Sequence, residues 1–535
     1  MHCIFRPIWV LLRCATSWKP HLLDNVQCQS LGIKTFIQQS RNTCRFQYPF
    51  KFFNQLRHRT TRFGVPPEPT PKLTPQQVTS ILRANETMHD FKKPGTVLKS
   101  VDWNQLSSNN PIEDSLAIAQ LQDGQTYLLG VFDGHGGPSC ARVLAKRLLS
   151  YIAASLPAQH LPGCLINQMT QSPEFRPELE SLYVYAFNQY LSSVSHLREK
   201  LTDDESQFNI NDIENALVTA FDAMDHQLSE EALAFLLGPK MANILKSDPH
   251  WDWNPWWKDP HPKRDKLLQL ATLSVAMSGA VACVGLISFN QLVVANTGDC
   301  QALLGYIGED GSWCYRKLSR EHTSENPGEI QRLYRDHPTS EQDTILRMDR
   351  LLGQLMPLRA FGDFRFKWPR EVLEKWVVPI IGESAVPPHY KTPPYLTAHP
   401  EIIRHTLTPK DKFLVIASDG LWDLLSPTQV VRLVGEHQSG RVAFGPLTLP
   451  PGDVTVGDVN SMLHQRREGL SKRPLDTNAA THLMRHALGS TETGLDPHRL
   501  AELLAMPDDV VRLFRDDISI IVAYFDTDYL LKTWP

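Results

Sequence analysis

The chain has little that would place it in a membrane-spanning or a disulfide-bonded class of protein. No stretch of its 535 residues reaches the ~18 uninterrupted apolar residues that a membrane-spanning helix needs. Its nine cysteines include no CxxC pair, and the five that follow residue 63 are an odd number, so neither a disulfide framework nor a zinc site is supported. With 42% hydrophobic and 21% charged residues and no internal repeat, the composition excludes a disordered or fibrous chain and is typical of a globular one.

Acidic residues are almost absent from the N-terminus. Residues 1–63 hold ten Lys and Arg side chains against one acid, Asp24, which leaves 44 basic and 57 acidic residues, a net charge of about −13, in the remainder. An acid-poor, arginine-bearing segment with interleaved Ile, Phe and Leu is typical of a mitochondrial transit peptide. A secretory signal fits less well, because the short apolar core Ile8–Leu12 has no small-residue cleavage site after it, and a nucleic-acid-binding arm is the third interpretation. We therefore predict mitochondrial import.

Hydrophobic patterns beyond residue 72 predict an α+β protein. Apolar residues at helical spacing predict a helix that begins at Pro75, with Thr74 as its N-cap, and a second over Asp212–Glu230. Short apolar runs between polar turns predict strands at Tyr127–Phe132, Val281–Ile287, Leu292–Asn296, Ala302–Gly305, Phe413–Ala417 and Ile518–Phe525. The three runs between Gly279 and Gly305 favour an antiparallel meander, and strands grouped between helices favour α+β layers over a parallel βαβ fold.

Acidic residues recur where these strands begin or end. Each accompanies an apolar strand, often with a glycine beside it, and the set is Glu113, Asp114, Asp133, Asp299, Asp419, Asp423 and Asp516. Any one of them alone is better explained as a solvated carboxylate in a turn. The run Val131–Gly137 is the most informative, because Asp133 is followed by Gly134, whose backbone can approach a ligand closely, and by His135, which can move a proton.

If these carboxylates converge, they need a cation, because clustered carboxylates repel one another and raise each other's pKa. An oxygen ligand set without Cys or His clusters favours Mg²⁺ or Mn²⁺ over zinc or copper. Two such ions bridged by one carboxylate can activate a water and hold a phosphoryl group for in-line displacement. The residues by themselves therefore suggest metal-dependent hydrolysis of a phosphate ester.

Seven short motifs follow one another along the chain: Glu113-Asp114, Phe132–Gly137, Ser278–Ala282, Ala295–Asp299, Leu358–Asp363, Ser418–Asp423 and Arg515–Ser519. In this order they resemble the motifs of the PPM family, the metal-dependent (type 2C) protein serine/threonine phosphatases, over roughly residues 100–526. The resemblance implies a four-layer αββα sandwich of two antiparallel sheets flanked by helices. It also implies Mg²⁺ or Mn²⁺ as cofactor, with two ions per active site and a weaker third.

The same resemblance implies a role for each acidic motif. Asp133 and His135 are the catalytic residues, Asp133 as the bridge between the two ions and His135 as the acid that protonates the departing seryl oxygen. The resemblance implies that Asp419 and Asp516 bind the two ions through their carboxylates and Gly134 through its carbonyl. Glu113 and Asp114 are implied to bind through water. Asp299 and Asp423, together with Asp419, are implied to hold the third ion. Hydrolysis then proceeds by a water activated between two ions, without a phospho-enzyme.

The N-terminal segment narrows the resemblance. Leu73–Val78, Ile81–Glu86 and Pro111–Asp114 are similar to the mitochondrial pyruvate dehydrogenase phosphatases within the PPM family. That similarity implies that the substrate is phosphoserine on the pyruvate dehydrogenase E1 alpha subunit, that the chain acts in the mitochondrial matrix and that it reactivates the complex. It further implies the E2 lipoyl domain core and a regulatory subunit as candidate partners. It implies no nucleic-acid partner and no membrane-spanning segment.

One position departs from the family pattern. Many family members carry an arginine five residues before the aspartate of the first motif, where it binds the substrate phosphate, and here Asn109 stands at that position. Phosphate must then be held by the ions, by Asn109 or by another cation. Arg142, which follows His135 in a predicted helix, is a candidate, although a solvated helix charge explains it more simply.

A PPM-like scaffold that binds partners without catalysis is the alternative function. Such chains typically lose one or more of the metal aspartates. Asp133, Asp419, Asp516 and His135 are all present here, which favours the enzyme.

The predicted layout has four parts. It comprises a transit peptide and linker over 1–66, an N-terminal helical extension over 67–100, a PPM-type phosphatase domain over 101–526 and a tail over 527–535. Insertions interrupt the domain near 236–270 and 437–475. The first insertion holds four tryptophans in a polar segment, Trp251, Trp253, Trp256 and Trp257, which either pack on the domain or form a partner-binding surface.

Overall fold

The computed structural model describes residues 73–91, 95–156, 165–171, 210–237, 262–444, 452–491 and 494–534, with single positions between 183 and 192 and at 447 and 449. Within these residues no helix has both the length and the apolar character required to cross a membrane. The predicted transit peptide and the four tryptophans of the first insertion lie outside the described residues.

Most strands are short and apolar, as the sequence pattern predicts. In chain order they are β1 (Thr87–Asp90), β2 (Leu98–Leu106), β3 (Ser115–Leu121), β4 (Thr126–His135), β5 (Leu165–Gln171), β6 (Gly279–Ser288), β7 (Gln291–Thr297), β8 (Gln301–Ile307), β9 (Trp313–Lys317), β10 (Leu346–Arg347), β11 (Arg350–Leu351), β12 (Phe361–Gly362), β13 (Glu401–Thr406), β14 (Asp411–Ala417) and β15 (Ile518–Phe525).

Helices of seven or more residues are α1 (Pro75–Arg83), α2 (Ser139–Ser155), α3 (Ile210–Leu237), α4 (Pro262–Met277), α5 (Pro327–Asp336), α6 (Pro427–Gln438), α7 (Val456–Leu470), α8 (Ala479–Gly489), α9 (Pro497–Leu504) and α10 (Thr527–Thr533). Shorter helical turns lie at Thr339–Glu341, Gln342–Ile345, Phe364–Phe366, Arg370–Val372, Leu373–Val377, Val378–Ile381, Glu383–Ala385, Asp419–Trp422 and Asp508–Val511. The predicted start of α1 is confirmed. Thr74 is its N-cap in a reciprocal capping box with Gln77, and Pro75 occupies the first turn.

Two antiparallel sheets form the centre of the fold. The first has the strand order β1-β2-β15-β14-β8-β9, and the second has the order β13-β7-β6-β4-β3-β5 with β12 paired to β6. The sheets face each other, and β6 of the second sheet packs on β14 of the first, where Gly285 lies beneath Leu414 and Ile416. All residues of β6 and of β15 are buried, which explains why both strands read as continuous apolar runs.

Helices cover the outer face of each sheet. α2 packs on β3 and β4 with α3 and α4 beside it, while α6 and α8 pack on the first sheet and α1 and α9 lie against α8. The layers therefore run helix, sheet, sheet, helix. The predicted four-layer αββα sandwich is confirmed.

Two local predictions are wrong. The meander expected between Gly279 and Gly305 is divided, because β6 and β7 pair in the second sheet whereas β8 pairs with β14 and β9 in the first. The chain thus changes sheets between Thr297 and Gln301. The strand expected to end at Phe132 continues through His135, because its last three residues still pair with β6.

Candidate active site

Asp133, Gly134 and His135 form the end of β4, where they pair with Val281, Ala280 and Gly279 of β6. Position 134 has no room for a side chain, since a Cβ there would lie 2.3 Å from the carbonyl oxygen of Glu113. The glycine therefore allows the segment that carries Glu113 to lie directly against the end of the strand. This contact places the motif Glu113-Asp114 beside the motif Phe132–Gly137.

Three more predicted ligands line one edge of the first sheet. Asp419 directly follows β14, Asp516 lies just before β15 and Asp299 lies just before β8. These three strands are antiparallel neighbours, with Ala417 of β14 opposite both Gln301 and Ile520, so the three aspartates meet at the same edge. The facing second sheet contributes Asp133, and the site is therefore built between the two sheets.

The remaining acidic residues approach this edge from loops. Asp114 immediately precedes β3, whose first residue pairs with Phe132, and the Asp114 side chain is buried. Asp423 follows the helical turn after β14, and its backbone N–H donates to the carbonyl of Asp419 at 2.9 Å. Glu113 accepts a 2.8 Å hydrogen bond from the backbone N–H of Gly137, which fixes it beside the glycine turn that follows β4.

The pKa shifts show that these carboxylates act on one another. Burial and then the charges of Asp419, Asp114, Asp299 and Asp516 raise the pKa of Asp133 well above its usual 3.8. Burial and the charges of Asp299, Asp516 and Asp423 do the same for the pKa of Asp419. Burial, with the charge of Asp517, raises the pKa of Asp114 to about 8, and burial raises that of Asp299 to about 6. These acidic residues therefore lie close enough for their charges to interact, and their role as metal ligands stays a prediction.

The donor set fits a hard divalent cation. It consists of carboxylate and backbone oxygens, and one oxygen of the buried Asp114 carboxylate has no hydrogen-bond partner among the residues that the structure describes. Across the described ranges, no three Asp, Glu, His or Cys side chains form a ready-made metal-binding cluster. The fit therefore rests on the chemistry of the donors and on their mutual repulsion, which a cation between them would relieve.

His135 is paired with a carboxylate that the sequence did not assign. Its Nε2 lies 2.5 Å from Oδ2 of Asp363, which belongs to the segment after β12. Gly279 makes this contact possible, because a Cβ there would lie 2.2 Å from both partners. Burial lowers the pKa of His135, but the charge of Asp363 and its hydrogen bond raise it more, so the net pKa lies above the usual 6.5. This shift favours the protonated imidazole, which is the form that a general acid requires.

Asp517 organises the loop that presents Glu113. Its two carboxylate oxygens accept from the backbone N–H groups of Ser108, Asn109 and Glu113 at 2.5, 2.9 and 2.8 Å, and from the Asn109 side chain at 2.9 Å. One carboxylate beside Asp516 thus fixes the position of the first motif.

The position that departs from the family pattern contacts a different cation. Nη1 of Arg512, the residue after the Asp508–Val511 turn, donates to Oδ1 of Asn109 and, at 2.9 Å, to Oε2 of Glu113. The candidate Arg142 lies in the first turn of α2, where its backbone N–H donates to the carbonyl of Pro138 at 3.1 Å.

Comparison with known proteins identifies the family. Residues 256–443 match the family model described as protein phosphatase 2C. The chain is 38% identical to human mitochondrial pyruvate dehydrogenase phosphatase 1, over 85% of this chain and 83% of the relative. It is 36% identical to human mitochondrial pyruvate dehydrogenase phosphatase 2, over 85% and 84% respectively, and 32% identical to a protein phosphatase 2C homologue of Schizosaccharomyces pombe, over 82% and 84%.

The chain belongs to the protein phosphatase 2C family. It is a metal-dependent protein serine/threonine phosphatase, and the predicted enzyme class is confirmed over the scaffold alternative. The relatives are named as mitochondrial enzymes, which confirms the mitochondrial location expected from the basic N-terminus. From the segment that begins at Leu73 we predict a closer resemblance to the second isoform of the pyruvate dehydrogenase phosphatases than to the first. This stays a prediction, because identities of 38% to the first and 36% to the second do not separate the two.

Among solved structures, a serine-threonine phosphatase 2C from Toxoplasma gondii matches this phosphatase with 15% identity and a TM-score of 0.39, over 82% of this chain and 99% of that one. The match to the family model lies within the predicted 101–526 domain, whose bounds, like the two insertions, stay predictions.

Three residues of this phosphatase site were missed from sequence: Asp363, Asp517 and Arg512. Asp363 ends one of the seven motifs and Asp517 follows Asp516, so each had a positional signal but no assigned partner. Arg512 had no such positional signal, because Asn109, which it contacts, lies 403 positions away in the chain.

Proposed function

We propose that this phosphatase removes phosphate from serine on the E1 alpha subunit of pyruvate dehydrogenase in the mitochondrial matrix, and so reactivates that complex. The observation that carries the proposal is the 38% and 36% identity to two human enzymes named for this activity, over 83% and 84% of their lengths. The basic, acid-poor first 63 residues support the matrix location.

The converging carboxylates are the proposed binding site for two Mg²⁺ or Mn²⁺ ions and a weaker third. The proposed direct ligands are Asp133, the Gly134 carbonyl, Asp419 and Asp516, with Glu113 and Asp114 acting through water and Asp299 and Asp423 joining Asp419 at the third ion. Mutual repulsion among these partly buried groups supports the assignment. Bound ions at such a site supply the positive charge that lowers the pKa of an attacking water and neutralises the phosphoryl oxygens.

The protein's own residues provide the proton and the alignment. Nε2 of His135 is paired with Asp363, which leaves Nδ1 as the ring nitrogen proposed to protonate the seryl oxygen as it leaves. A serine alkoxide is a poor leaving group, and a protonated imidazole therefore accelerates its departure. Asp363 holds the ring in place, and Asp517 holds the Glu113 loop.

The decisive experiment offers phosphorylated pyruvate dehydrogenase E1 to the enzyme beside a panel of other matrix phosphoproteins. We expect the fastest phosphate release from E1, a loss of activity with EDTA and a loss in Asp419→Asn, with the exposed Asp528→Asn as the charge-matched control. Faster hydrolysis of another matrix phosphoprotein would overturn the substrate assignment. Activity that survives EDTA, or that is unchanged in Asp419→Asn, would overturn the two-ion mechanism.

The E2 lipoyl domain core and a regulatory subunit are the further partners proposed. The segment Trp251–Trp257, outside the described residues, is the proposed docking element for the large complex. Deleting residues 245–262 should lower activity on the intact complex while leaving hydrolysis of an aryl phosphate unchanged. Equal activity of the deletion variant and the wild type on the complex would remove this role.

A further inference from the structure

The site lacks a cation at the position where the family carries its phosphate-binding arginine. Asn109 stands there, and its side chain is already engaged: Nδ2 donates to Asp517 at 2.9 Å and Oδ1 accepts from Arg512. A neutral amide with both ends occupied is a poor ligand for a dianionic phosphate. Another group must therefore balance the charge of the substrate on this side of the site.

Arg512 brings a positive charge to the same place from a distant part of the chain. Its Nη1 contacts both Asn109 and Glu113. Against the effect of burial, the hydrogen bond to Glu113 and the charges of Asp516, Glu113 and Asp517 raise the pKa of Arg512. The Arg512 side chain is 48% exposed, whereas that of Glu113 is 15% exposed. The guanidinium therefore lies at the solvent side of the carboxylate cluster, where a substrate would enter.

The geometry of the contacts leaves the binding edge of the guanidinium open. An arginine has five N–H donors in a planar fork, and Nη1 supplies the two that point to Asn109 and Glu113. In the described part of the chain, no hydrogen bond uses Nε or Nη2 of Arg512. These two nitrogens form the side of the fork that binds an oxyanion through two parallel hydrogen bonds.

The neighbouring cation is arranged differently. Arg515 donates from Nη1 to the Ser108 hydroxyl at 2.6 Å, and its Nε is buried without a hydrogen-bond partner. Burial lowers the pKa of Arg515 to about 10, while the charges of Asp517 and Asp516 oppose that shift. Arg515 thus supports the 108–113 loop from inside, whereas Arg512 faces outward.

We propose that Arg512 binds the phosphoryl group of the substrate through Nε and Nη2, in place of the arginine that Asn109 replaces. This inference deepens the proposed function and rests on it. The contacts to Asn109 and Glu113 orient the guanidinium before the substrate arrives, so little side-chain freedom is lost on binding. Arg512 is thereby a substrate-binding residue that comes from the segment before β15 and not from the first motif.

The test measures inhibition by inorganic phosphate during hydrolysis of an aryl phosphate at saturating Mg²⁺. In Arg512→Ala, the Ki for phosphate and the KM should rise by about ten- to a hundredfold, as expected for loss of hydrogen bonds to a charged group. Arg512→Lys keeps the charge but not the planar fork of donors, so its Ki and KM should lie between those of the wild type and those of Arg512→Ala. Arg335→Ala is the matched control, because Arg335 is exposed and pairs only locally, with Asp336 at 3.1 Å.

A double variant distinguishes a loss of phosphate binding from a loss of support for the 108–113 loop. Asn109→Arg in the Arg512→Ala background should recover most of the phosphate affinity, while the Mg²⁺ concentration for half-maximal activity stays near that of the wild type. An unchanged Ki in Arg512→Ala would overturn the proposal, and so would a rise in Ki that is matched by an equal rise in the Mg²⁺ concentration for half-maximal activity. The readout uses neither pyruvate dehydrogenase nor any protein substrate, so a failed substrate assignment would leave it unaffected.

Discussion

His135 shows how the surroundings of a side chain change its pKa. A buried imidazole alone would lose its proton more easily than in water, but Asp363 at 2.5 Å reverses that effect. The two residues are 228 positions apart and meet only because β6 carries a glycine between them, at position 279. Asp363 itself has a φ of 47°, a left-handed conformation that is costly for a residue with a side chain. The fold therefore maintains this contact at a cost in the backbone conformational energy of Asp363.

At the residue scale, we predict that His135→Gln and Asp363→Asn both slow hydrolysis of a phosphoserine protein far more than that of an aryl phosphate. An aryl leaving group needs little protonation, whereas a serine alkoxide needs it, and a loss of about 10²–10⁴-fold on phosphoserine is expected for removing a general acid. The comparison of kcat on the two substrates checks this prediction. Equal losses on both substrates would show that the pair acts on structure and not on the leaving group.

At the scale of elements, helices α6 and α8 bury a cluster of histidines. His437 of α6 lies 4.7 Å from His482 of α8, and His482 lies 4.4 Å from His486, measured between ring centroids. Nε2 of His482 and both ring nitrogens of His486 are buried without hydrogen-bond partners. Burial lowers the pKa of His486 to about 4; the charge of Asp476 opposes this shift, and the charge of Arg485 adds to it. Burial also lowers the pKa of His482 well below its usual 6.5. The lowered pKa values favour the neutral form of the His482 and His486 rings in the folded protein.

The cluster makes stability depend on pH with a definite sign. Between pH 6.5 and about 4 the unfolded chain binds protons on these histidines that the folded chain does not, so stability is full above pH 6.5 and falls as the pH decreases. For His486 alone the shift corresponds to a loss on the order of 3 kcal/mol. We expect the melting temperature of the wild type to fall more steeply over this range than that of His486→Gln. Parallel curves for the two proteins would contradict the prediction.

At the scale of the whole molecule, each sheet contributes part of the site. The second sheet contributes Asp133, while the first contributes Asp299, Asp419 and Asp516. Like charges on the two sheets repel one another at this end of the sandwich, and an ion bound at the proposed site would relieve that repulsion. Ion binding at the proposed site would therefore also stabilise the fold.

We predict that Mg²⁺ or Mn²⁺ raises the thermal stability of the wild type, by about 3 kcal/mol at a hundredfold excess over the Kd. Asp419→Asn removes one charge from the cluster, so it should melt at a higher temperature than the wild type in EDTA and gain less from the ions. Calorimetric scans with and without Mn²⁺ measure both effects, with Asp528→Asn as the control. An equal gain for Asp419→Asn and the wild type would exclude Asp419 from the site.

Much of this protein is determined by its sequence. The apolar runs that become β6, β14 and β15 are visible because strands buried on both faces must be continuously hydrophobic. The start of α1 is visible because Thr74, Pro75 and Gln77 act through local hydrogen bonds and backbone geometry. The acidic motifs are visible because the same arrangement, an apolar strand with an acidic residue at its end and often a glycine beside it, recurs along the chain. Motif order then identified the family, and the basic N-terminus identified the location.

Only the tertiary structure decided which distant segments meet. The division of the expected meander between two sheets, the pairing of His135 with Asp363 and the approach of Arg512 to Asn109 depend on contacts across hundreds of residues. No local pattern encodes such contacts, because periodicity and capping act over a few residues, whereas sheet order follows from how whole layers bury their apolar faces. The sequence thus determined the chemistry of the site, and the packing of the two sheets decided which groups orient that chemistry and which cation faces the substrate.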